Sequence, residues 1–322
     1  MRTWLTQRFG LATPVVCAPM FGAGGARLAE AVSAAGGLGM IGAGRATTAE
    51  SLAVDCDRLA AARRPYGVGL MAWALDHDPA PFEATLAAAP PLVSVSFGAY
   101  QRYVAPLQAA GVTVAVQAGT LDEAKAAEQA GVDLIVARGG EAGGHGRNEV
   151  ATLPLLQVVL DAVETPVAAA GGVADSRGLA AVLAAGAVGG WCGTAFLACA
   201  EAETTPAARA RLVDAADTDT AYGRVFDVAQ RLDWPPEFGA RGLRNSFFSR
   251  WAGREAELAG DDAAGQELAD ARAAGDYDIA FVYTGQGAAL LREQRSAADV
   301  VAEFAKAGEL LSRAAAMAEE AP

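Results

Sequence analysis

The residue in this sequence that is best suited to acid–base chemistry is a histidine in a glycine-rich segment. Residues 139–147 read GGEAGGHGR, and the chain contains only two histidines. A histidine among glycines can act as a general acid or base, because its pKa lies near neutral pH and its small neighbours leave the ring accessible. His145 is therefore the candidate catalytic residue. The second histidine, His77, stands between two aspartates, a pattern more typical of a solvated loop.

Two pairs of small residues are candidates for binding a phosphate group. Gly171 and Gly172 follow one apolar run, and Gly193 and Thr194 follow the next. Glycine lets main-chain N–H groups approach phosphate oxygens, and the threonine hydroxyl adds a further donor. Either pair alone could be an ordinary turn. Because the pairs follow two successive strand candidates, we predict that together they form a phosphate site.

Metal and dinucleotide chemistry have weaker support. The four cysteines lack the spacing of a metal site and are interpreted as reduced thiols. One carboxylate beside His145 is too small a ligand set, so we predict no metal. The glycines within residues 22–25 do not fit the spacing of the dinucleotide-binding fingerprint.

Eight short apolar runs, separated by alanine-rich helical stretches, must position these residues. Apolar strands that alternate with helices indicate a parallel sheet covered by helices. Eight repeats favour an α/β fold of the (β/α)₈ or TIM-barrel type over an open doubly wound sheet, with the active site at the C-terminal ends of the strands. The predicted strands are residues 14–18, 38–41, 67–71, 92–95, 112–116, 133–137, 166–170 and 188–192.

The strand pattern stops at about residue 200. Residues 201–275 are richer in charge and contain a cluster of Trp, Pro and Phe, which we interpret as a mainly helical substrate or cap insertion. Residues 1–200 and 276–322 would then form the barrel. Within the second barrel part we expect an extended piece at 279–283 and one amphipathic helix at about 296–316.

Composition excludes several classes of protein. Of 322 residues, 52% are hydrophobic and 20% charged, so the chain can build a large core. Lys and Arg number 25 against 38 Asp and Glu, a net charge of −13 without a cationic run, which argues against a nucleic-acid partner. The longest uncharged run, 178–200, contains five glycines and is interpreted as barrel core instead of a membrane span. No secretory signal is evident, so we expect a cytoplasmic protein.

Several segments together resemble the nitronate monooxygenase family, formerly called 2-nitropropane dioxygenases. The resemblance extends over nearly the whole chain and keeps the family's order, which makes it more specific than any one motif. The matching segments are residues 14–20 (PVVCAPM), 34–39 (AAGGLG), 141–145 (EAGGH), 169–175 (AAGGVAD), 193–197 (GTAFL), 217–220 (DTDT) and 240–245 (ARGLRN).

The resemblance implies an FMN-bound TIM barrel with a helical substrate domain inserted late in the chain. It also implies oxidation of an alkyl nitronate, or of the parent nitroalkane, by O₂ to a carbonyl compound and nitrite. His145 matches the family's active-site histidine. The residues that it places around the FMN are Ala18, Pro19 and Met20 along the flavin ring, Gly143 and Gly144 in the adjacent loop, and Gly171, Gly172, Gly193 and Thr194 at the phosphate.

Three flavin-proximal positions depart from the family pattern. Gly69 stands where the family usually has Asn, and Arg138 and Trp191 stand where it often has Gln. Arg138 brings a permanent positive charge to its position. These changes are compatible with subfamily drift or with a changed substrate.

Three alternatives remain open at this stage. The first keeps the flavin but uses NAD(P)H, as enoyl-acyl-carrier-protein reductases and quinone reductases do. The second is a flavin-free phosphosugar barrel, although no strand end presents a Schiff-base lysine or paired carboxylates. The third is a flavin-binding protein without turnover. For the nitronate monooxygenase interpretation we expect a small-molecule substrate and O₂ as partners. Whether the protein forms a homo-oligomer is left open.

Overall fold

Eight parallel strands close into a barrel in the computed structural model, which describes residues 1–319. Strand β9 pairs with β1, with Val16 opposite Trp191, and so completes the ring. This closure confirms the predicted TIM-barrel fold. The barrel strands are β1 (Val15–Cys17), β2 (Leu38–Gly42), β3 (Tyr66–Met71), β4 (Leu92–Ser96), β5 (Thr113–Ala118), β6 (Leu134–Arg138), β8 (Val167–Ala170) and β9 (Gly190–Cys192).

Side chains of the barrel strands alternate between the barrel interior and the surrounding helices. Large apolar residues such as Leu38, Leu92 and Leu134 fill the lower part of the interior, and their outward neighbours pack against the helices. Near the C-terminal ends the inward positions become small or polar, for example Gly42 and Gly69. The change from large to small residues leaves an open space at the barrel mouth.

Helices cover the outside of the barrel and follow the strands in sequence. Helix α7 begins with a threonine cap, since Thr120 Oγ1 accepts a hydrogen bond from the Glu123 N–H. The covering helices are α2 (Ala26–Ala34), α3 (Ala49–Ala61), α4 (Ala72–Leu75), α5 (Ala80–Ala88), α6 (Gln101–Ala109), α7 (Leu121–Gln129), α8 (Thr152–Leu160), α9 (Ser176–Ala184) and α10 (Thr194–Leu197).

The N-terminal helix α1 (Trp4–Phe9) packs against the interior residues at the opposite end of the barrel from the C-terminal strand ends. Leu5 is fully buried there, in one apolar cluster with Leu38 and Leu134. Thr3 caps the start of the helix, and Gly10 ends it in the left-handed conformation at φ +67°. The cavity of the barrel is therefore filled below and open above.

Residues 201–275, which the sequence analysis interpreted as a mainly helical insertion, contain five helices and also two strands that the sequence did not reveal. They form an antiparallel sheet in the order β10-β11-β7, in which β7 (Gly144–Gly146) comes from the segment after β6. These strands are short and rich in glycine, so they lack a strand-like composition. The insertion elements are α11 (Pro206–Val213), β10 (Thr220–Gly223), α12 (Val225–Ala229), β11 (Gly239–Leu243), α13 (Ser246–Trp251), α14 (Glu255–Leu258) and α15 (Asp262–Ala274).

The C-terminal part differs from the sequence prediction in two details. The extended piece at 279–283 makes only one bridge, between Gly242 and Tyr283, and a short 3₁₀ helix follows at Gln286–Leu290. The expected single helix is two helices, α16 (Ala297–Ala305) and α17 (Ala307–Glu319). The end of the predicted barrel range, residues 320–322, lies outside the described residues. Within residues 1–319, no helix is long and apolar enough to cross a membrane.

Replacing Leu5 with alanine should lower the free energy of unfolding by about 2–5 kcal/mol, because it leaves a cavity in the barrel interior. Equilibrium unfolding in urea measures the change. Leu153→Ala is the matched control, since Leu153 is 48% exposed on α8 and its truncation should cost less than about 0.5 kcal/mol. Equal losses for the two variants would show that α1 is not part of the barrel's cooperative unit.

Candidate active site

A cavity of about 770 Å³ lies over the C-terminal ends of the barrel strands and extends to the insertion. Its size is typical of small-molecule and cofactor sites. Every residue that the sequence analysis assigned to the site lines this one cavity. They are Ala18, Pro19, Met20, Gly69, Arg138, Gly143, Gly144, His145, Gly171, Gly172, Gly193 and Thr194.

The predicted phosphate loops meet at one side of the cavity. Gly171 and Gly172 follow β8 with φ of +111° and +71°, a region in which a side chain is strained. Thr194 begins α10, and its Oγ1 accepts a hydrogen bond from the Gly285 N–H at 2.9 Å. Gly285 precedes the 3₁₀ helix, so a third main-chain segment joins the two predicted loops. The sequence analysis gave this third segment no role.

A carboxylate also lies close to the first of these loops. A Cβ atom added to Gly172 would come within 2.7 Å of Glu141 Oε2. The space beside Gly172 is therefore bounded by an acceptor with negative charge. This carboxylate lies on the Cβ side of Gly172, where it can accept hydrogen bonds from the hydroxyl groups of a ligand.

The proline after β1 explains the glycine at the first departing position. A Cβ atom on Gly69 would overlap the ring of Pro19. The Pro19 ring thus occupies the space that a side chain from β3 would need. Gly69 consequently contributes no polar group to the cavity.

Arg138, at the end of β6, is 4% exposed and donates hydrogen bonds to main-chain carbonyls of the following segment. Its Nη2 donates to the Gly143 and Gly144 oxygens, each at 3.0 Å, and its Nη1 donates to the Arg147 oxygen at 3.3 Å. Burial lowers the pKa of Arg138 to about 10. No carboxylate lies within ion-pair distance among residues 1–319, so its charge is uncompensated.

Trp191 occupies the third departing position, on β9, and points into the barrel interior. It is buried in the apolar cluster under the cavity and also lines the cavity itself. Its indole Nε1 is buried and has no hydrogen-bond partner in the described part of the chain. An unpaired buried donor costs free energy.

His145 is held at the cavity wall by the sheet that joins barrel and insertion. In β7 it pairs with Ala240 of β11. Its Nε2 lies 2.8 Å from Oδ1 of Asp227, which is on α12. The Trp234 indole stacks on its ring, with centroids 3.7 Å apart and planes 4° from parallel. A carboxylate only accepts hydrogen bonds, so Asp227 places the ring proton on Nε2 and leaves the Nδ1 lone pair free.

Asp227 is a residue that the sequence analysis missed. It is only 1% exposed, and its Oδ2 has no hydrogen-bond partner within residues 1–319. The nearby Tyr283 hydroxyl is buried and likewise unpaired in this range. Burial and the Asp227 charge raise the pKa of Tyr283 well above its usual value, so it stays a neutral phenol. The only sequence signal for Asp227 is an acid between Phe226 and Val228 in a short apolar helix.

An aromatic wall continues from Trp234 to the barrel. Trp73 and Phe97 lie against the Trp234 ring with centroid distances of 5.0 and 5.4 Å. Both line the cavity, and Phe238 packs in the same cluster. Such a wall excludes water from one side of His145 and suits a flat or apolar ligand.

Metal and thiol chemistry find no support in the described residues. Within residues 1–319, no group of three His, Cys, Asp or Glu side chains could hold a metal ion. Cys192 lines the cavity, but burial raises the pKa of its thiol well above its usual value. A protonated thiol is a poor nucleophile at neutral pH.

The closed eight-stranded barrel, with a cavity and a histidine over the C-terminal strand ends, defines the class of TIM-barrel enzymes. The profile of the nitronate monooxygenase family matches residues 2–306. The chain therefore belongs to the nitronate monooxygenase family. One relative is a nitronate monooxygenase of Pseudomonas aeruginosa, 33% identical, with 89% of this chain and 94% of the relative covered.

Two solved structures agree with the family assignment. FabK from Thermotoga maritima superposes with a TM-score of 0.86 at 30% identity, over 98% of this chain and 99% of that one. A nitroalkane oxidase from Streptomyces ansochromogenes gives 0.80 at 32% identity, over 95% and 99%. The chain spans only 64% and 52% of the lengths of two further curated relatives, which are 36% and 40% identical to it.

The phosphate site can be tested at Gly193, which has an ordinary backbone conformation with φ −98°. A Cβ atom there would lie 3.3 Å from the flexible Met20 Sδ, so Gly193→Ala should be tolerated and should bind FMN within about threefold of the parent. Gly193→Asp places a negative charge at the phosphate and should weaken FMN binding at least about tenfold. Fluorescence titration of the apoprotein with FMN measures both. Equal affinities for the Ala and Asp variants would place the phosphate elsewhere.

Proposed function

We propose that this protein is an FMN-dependent oxidase of alkyl nitronates and their parent nitroalkanes. In the overall reaction, two nitronate anions and one O₂ give two carbonyl compounds and two nitrite ions, which balances atoms and charge. The observation that carries the proposal is the His145–Asp227 pair at the cavity wall, in which the histidine Nδ1 has no hydrogen-bond partner within residues 1–319. An acidic C–H group beside a nitro function is a fitting target for such a base.

The residues around the cavity fit a flavin mononucleotide. When bound, FMN would accept electrons from the substrate and pass them to O₂. The main chain at Gly172 and Gly193 and the Thr194 hydroxyl would hold the phosphate. Glu141 would accept hydrogen bonds from the cofactor's hydroxyl groups.

His145 can serve both substrate forms in turn. In the neutral ring, Nδ1 accepts the α-proton of a nitroalkane, and the Asp227 carboxylate stabilises the imidazolium that results. The same Nδ1–H then donates a hydrogen bond to a nitronate oxygen and orients it. The Trp234 ring fixes the imidazole plane by stacking.

The proposal also includes a cellular compartment and partners for the protein. All four cysteines are buried and free, which suits the reducing cytoplasm. The partners in this proposal are the nitronate or nitroalkane and O₂.

Replacing His145 with alanine should leave FMN bound but slow flavin reduction by neutral nitroalkanes about 10²–10⁴-fold, because the base is lost. With preformed nitronates the loss should be smaller, because they carry no α-proton for a base to remove. Asp227→Asn should also slow flavin reduction more with nitroalkanes than with nitronates, but by a smaller factor than His145→Ala. Anaerobic stopped-flow absorbance measures each rate, and bound FMN is quantified from the same spectrum.

His77→Ala is the matched control, because His77 is exposed and does not line the cavity. It should react at the parent rate. Parent rates for His145→Ala with both substrate forms would remove His145 from the mechanism. If NADH or NADPH reduces the flavin and no nitronate does, the protein is an NAD(P)H-dependent flavin reductase instead.

A further inference from the structure

Two buried arginines hold the segment that carries His145 from opposite sides. Arg138 donates to the Gly143 and Gly144 carbonyls, as described above. Arg241, on β11, donates to the Gly140 carbonyl at 2.8 Å and to Asn148 Oδ1 at 2.7 Å. Between them they bind both ends and the middle of the glycine-rich segment.

Neither guanidinium forms an ion pair in the part of the chain that the structure describes. Arg138 is 4% and Arg241 8% exposed, and no ion pair involves either one within residues 1–319. Burying a cation costs free energy unless a negative charge or several hydrogen bonds compensate. Carbonyl dipoles satisfy the N–H groups but do not neutralise the charge. The fold therefore keeps the Arg138 charge beside the cavity without an ion-pair partner within residues 1–319, whereas the Glu141 charge raises the pKa of Arg241 against the effect of burial.

Only one of the two arginines faces the cavity. Arg138 lines it as the inward residue at the end of β6, opposite Ala170 of β8, whereas Arg241 does not. The Nε of Arg138 has no hydrogen-bond partner in the described part of the chain, which leaves one donor for a ligand.

The ionisable groups nearest to Arg138 do not cancel its charge. Arg241 has the same sign, and the Glu123 carboxylate is already paired with Arg147. Burial raises the pKa of Tyr222, so this phenol is neutral near pH 7. Glu141, which also lines the cavity, makes no ion pair with Arg138.

We propose that Arg138 is the electrostatic partner of the reduced flavin and holds it in its anionic form. The inference rests on the flavin part of the proposed function and does not depend on the substrate. A fixed cation beside the ring favours the reduced cofactor with one negative charge over the neutral oxidised cofactor. Reduction then adds two electrons and one proton to the ring, and the positive charge opposes uptake of a second proton.

The test compares three variants of the FMN-loaded protein by anaerobic titration with a chemical reductant. In Arg138→Gln the charge is lost, so the ratio of reduced to oxidised FMN affinity should fall at least tenfold. For a two-electron couple this is a potential lower by about 30 mV. Arg138→Lys keeps the charge and should stay within about threefold, or about 15 mV, of the parent. Arg241→Gln loosens the same segment without removing the cavity charge and should also stay close to the parent.

The absorbance spectrum of the reduced cofactor is an independent readout. The parent protein and Arg138→Lys should show the anionic spectrum throughout the neutral pH range, whereas Arg138→Gln should convert to the neutral form within it. Equal shifts for Arg138→Gln and Arg241→Gln would assign the effect to the segment's geometry and overturn the proposal. A neutral reduced spectrum in the parent protein would overturn it as well, even if Arg138→Gln failed to keep FMN.

These outcomes are separate from those for the substrate. If no nitronate reduces the flavin while the potential and spectrum respond to Arg138 as expected, the substrate assignment is wrong and the role of Arg138 stands. If nitronates are oxidised and the reduced cofactor is neutral, the substrate assignment stands and the proposed role of Arg138 is wrong.

Discussion

The site depends on one main-chain interaction, the pairing of β7 with β11. Strand β7 continues the segment after β6 and carries His145, while β11 belongs to the insertion. Asp227 and Trp234, which fix the tautomer and plane of the histidine ring, also come from the insertion. The acid, the ring and the stacking partner therefore meet only because these two strands pair. Arg241 strengthens the same junction, since it spans from β11 to the glycine-rich segment and to Thr220 of β10.

Close main-chain approach explains why this region is so rich in glycine. Gly143 and Gly285 lie against each other's backbone, and a Cβ atom on either would collide with the neighbouring chain. The segment after β6 is thus packed between β11, the strand ends and the 3₁₀ helix. The conformational entropy that these glycines lose on folding is offset by hydrogen bonds from the buried Arg138 and Arg241. Glycines that are flexible in the unfolded chain thus form a closely packed wall of the cavity in the folded protein.

The barrel could be predicted from the sequence because its signals are local. Each strand is a short apolar run, so the predicted range 188–192, for example, contains the observed Gly190–Cys192. The residues of the cavity could also be predicted, because parallel strands bring their C-terminal ends to one edge. The Asp227 partnership could not, because it joins residues 82 positions apart and leaves no pattern in either neighbourhood. The strands β7, β10 and β11 escaped prediction since their pairing uses backbone groups, and their glycines carry no strand preference.

A junction made of backbone hydrogen bonds has a consequence for how such an enzyme can evolve. Trp191, for example, lies on β9 and can change without altering the N–H and C=O groups that align β7 with β11. The position of His145 beside Asp227 is therefore set by the chain trace, whereas the side chains of the cavity floor take no part in that alignment. Substitutions in the cavity floor can therefore change the redox properties and the substrate in small steps. Each step leaves the histidine and its acid where they were.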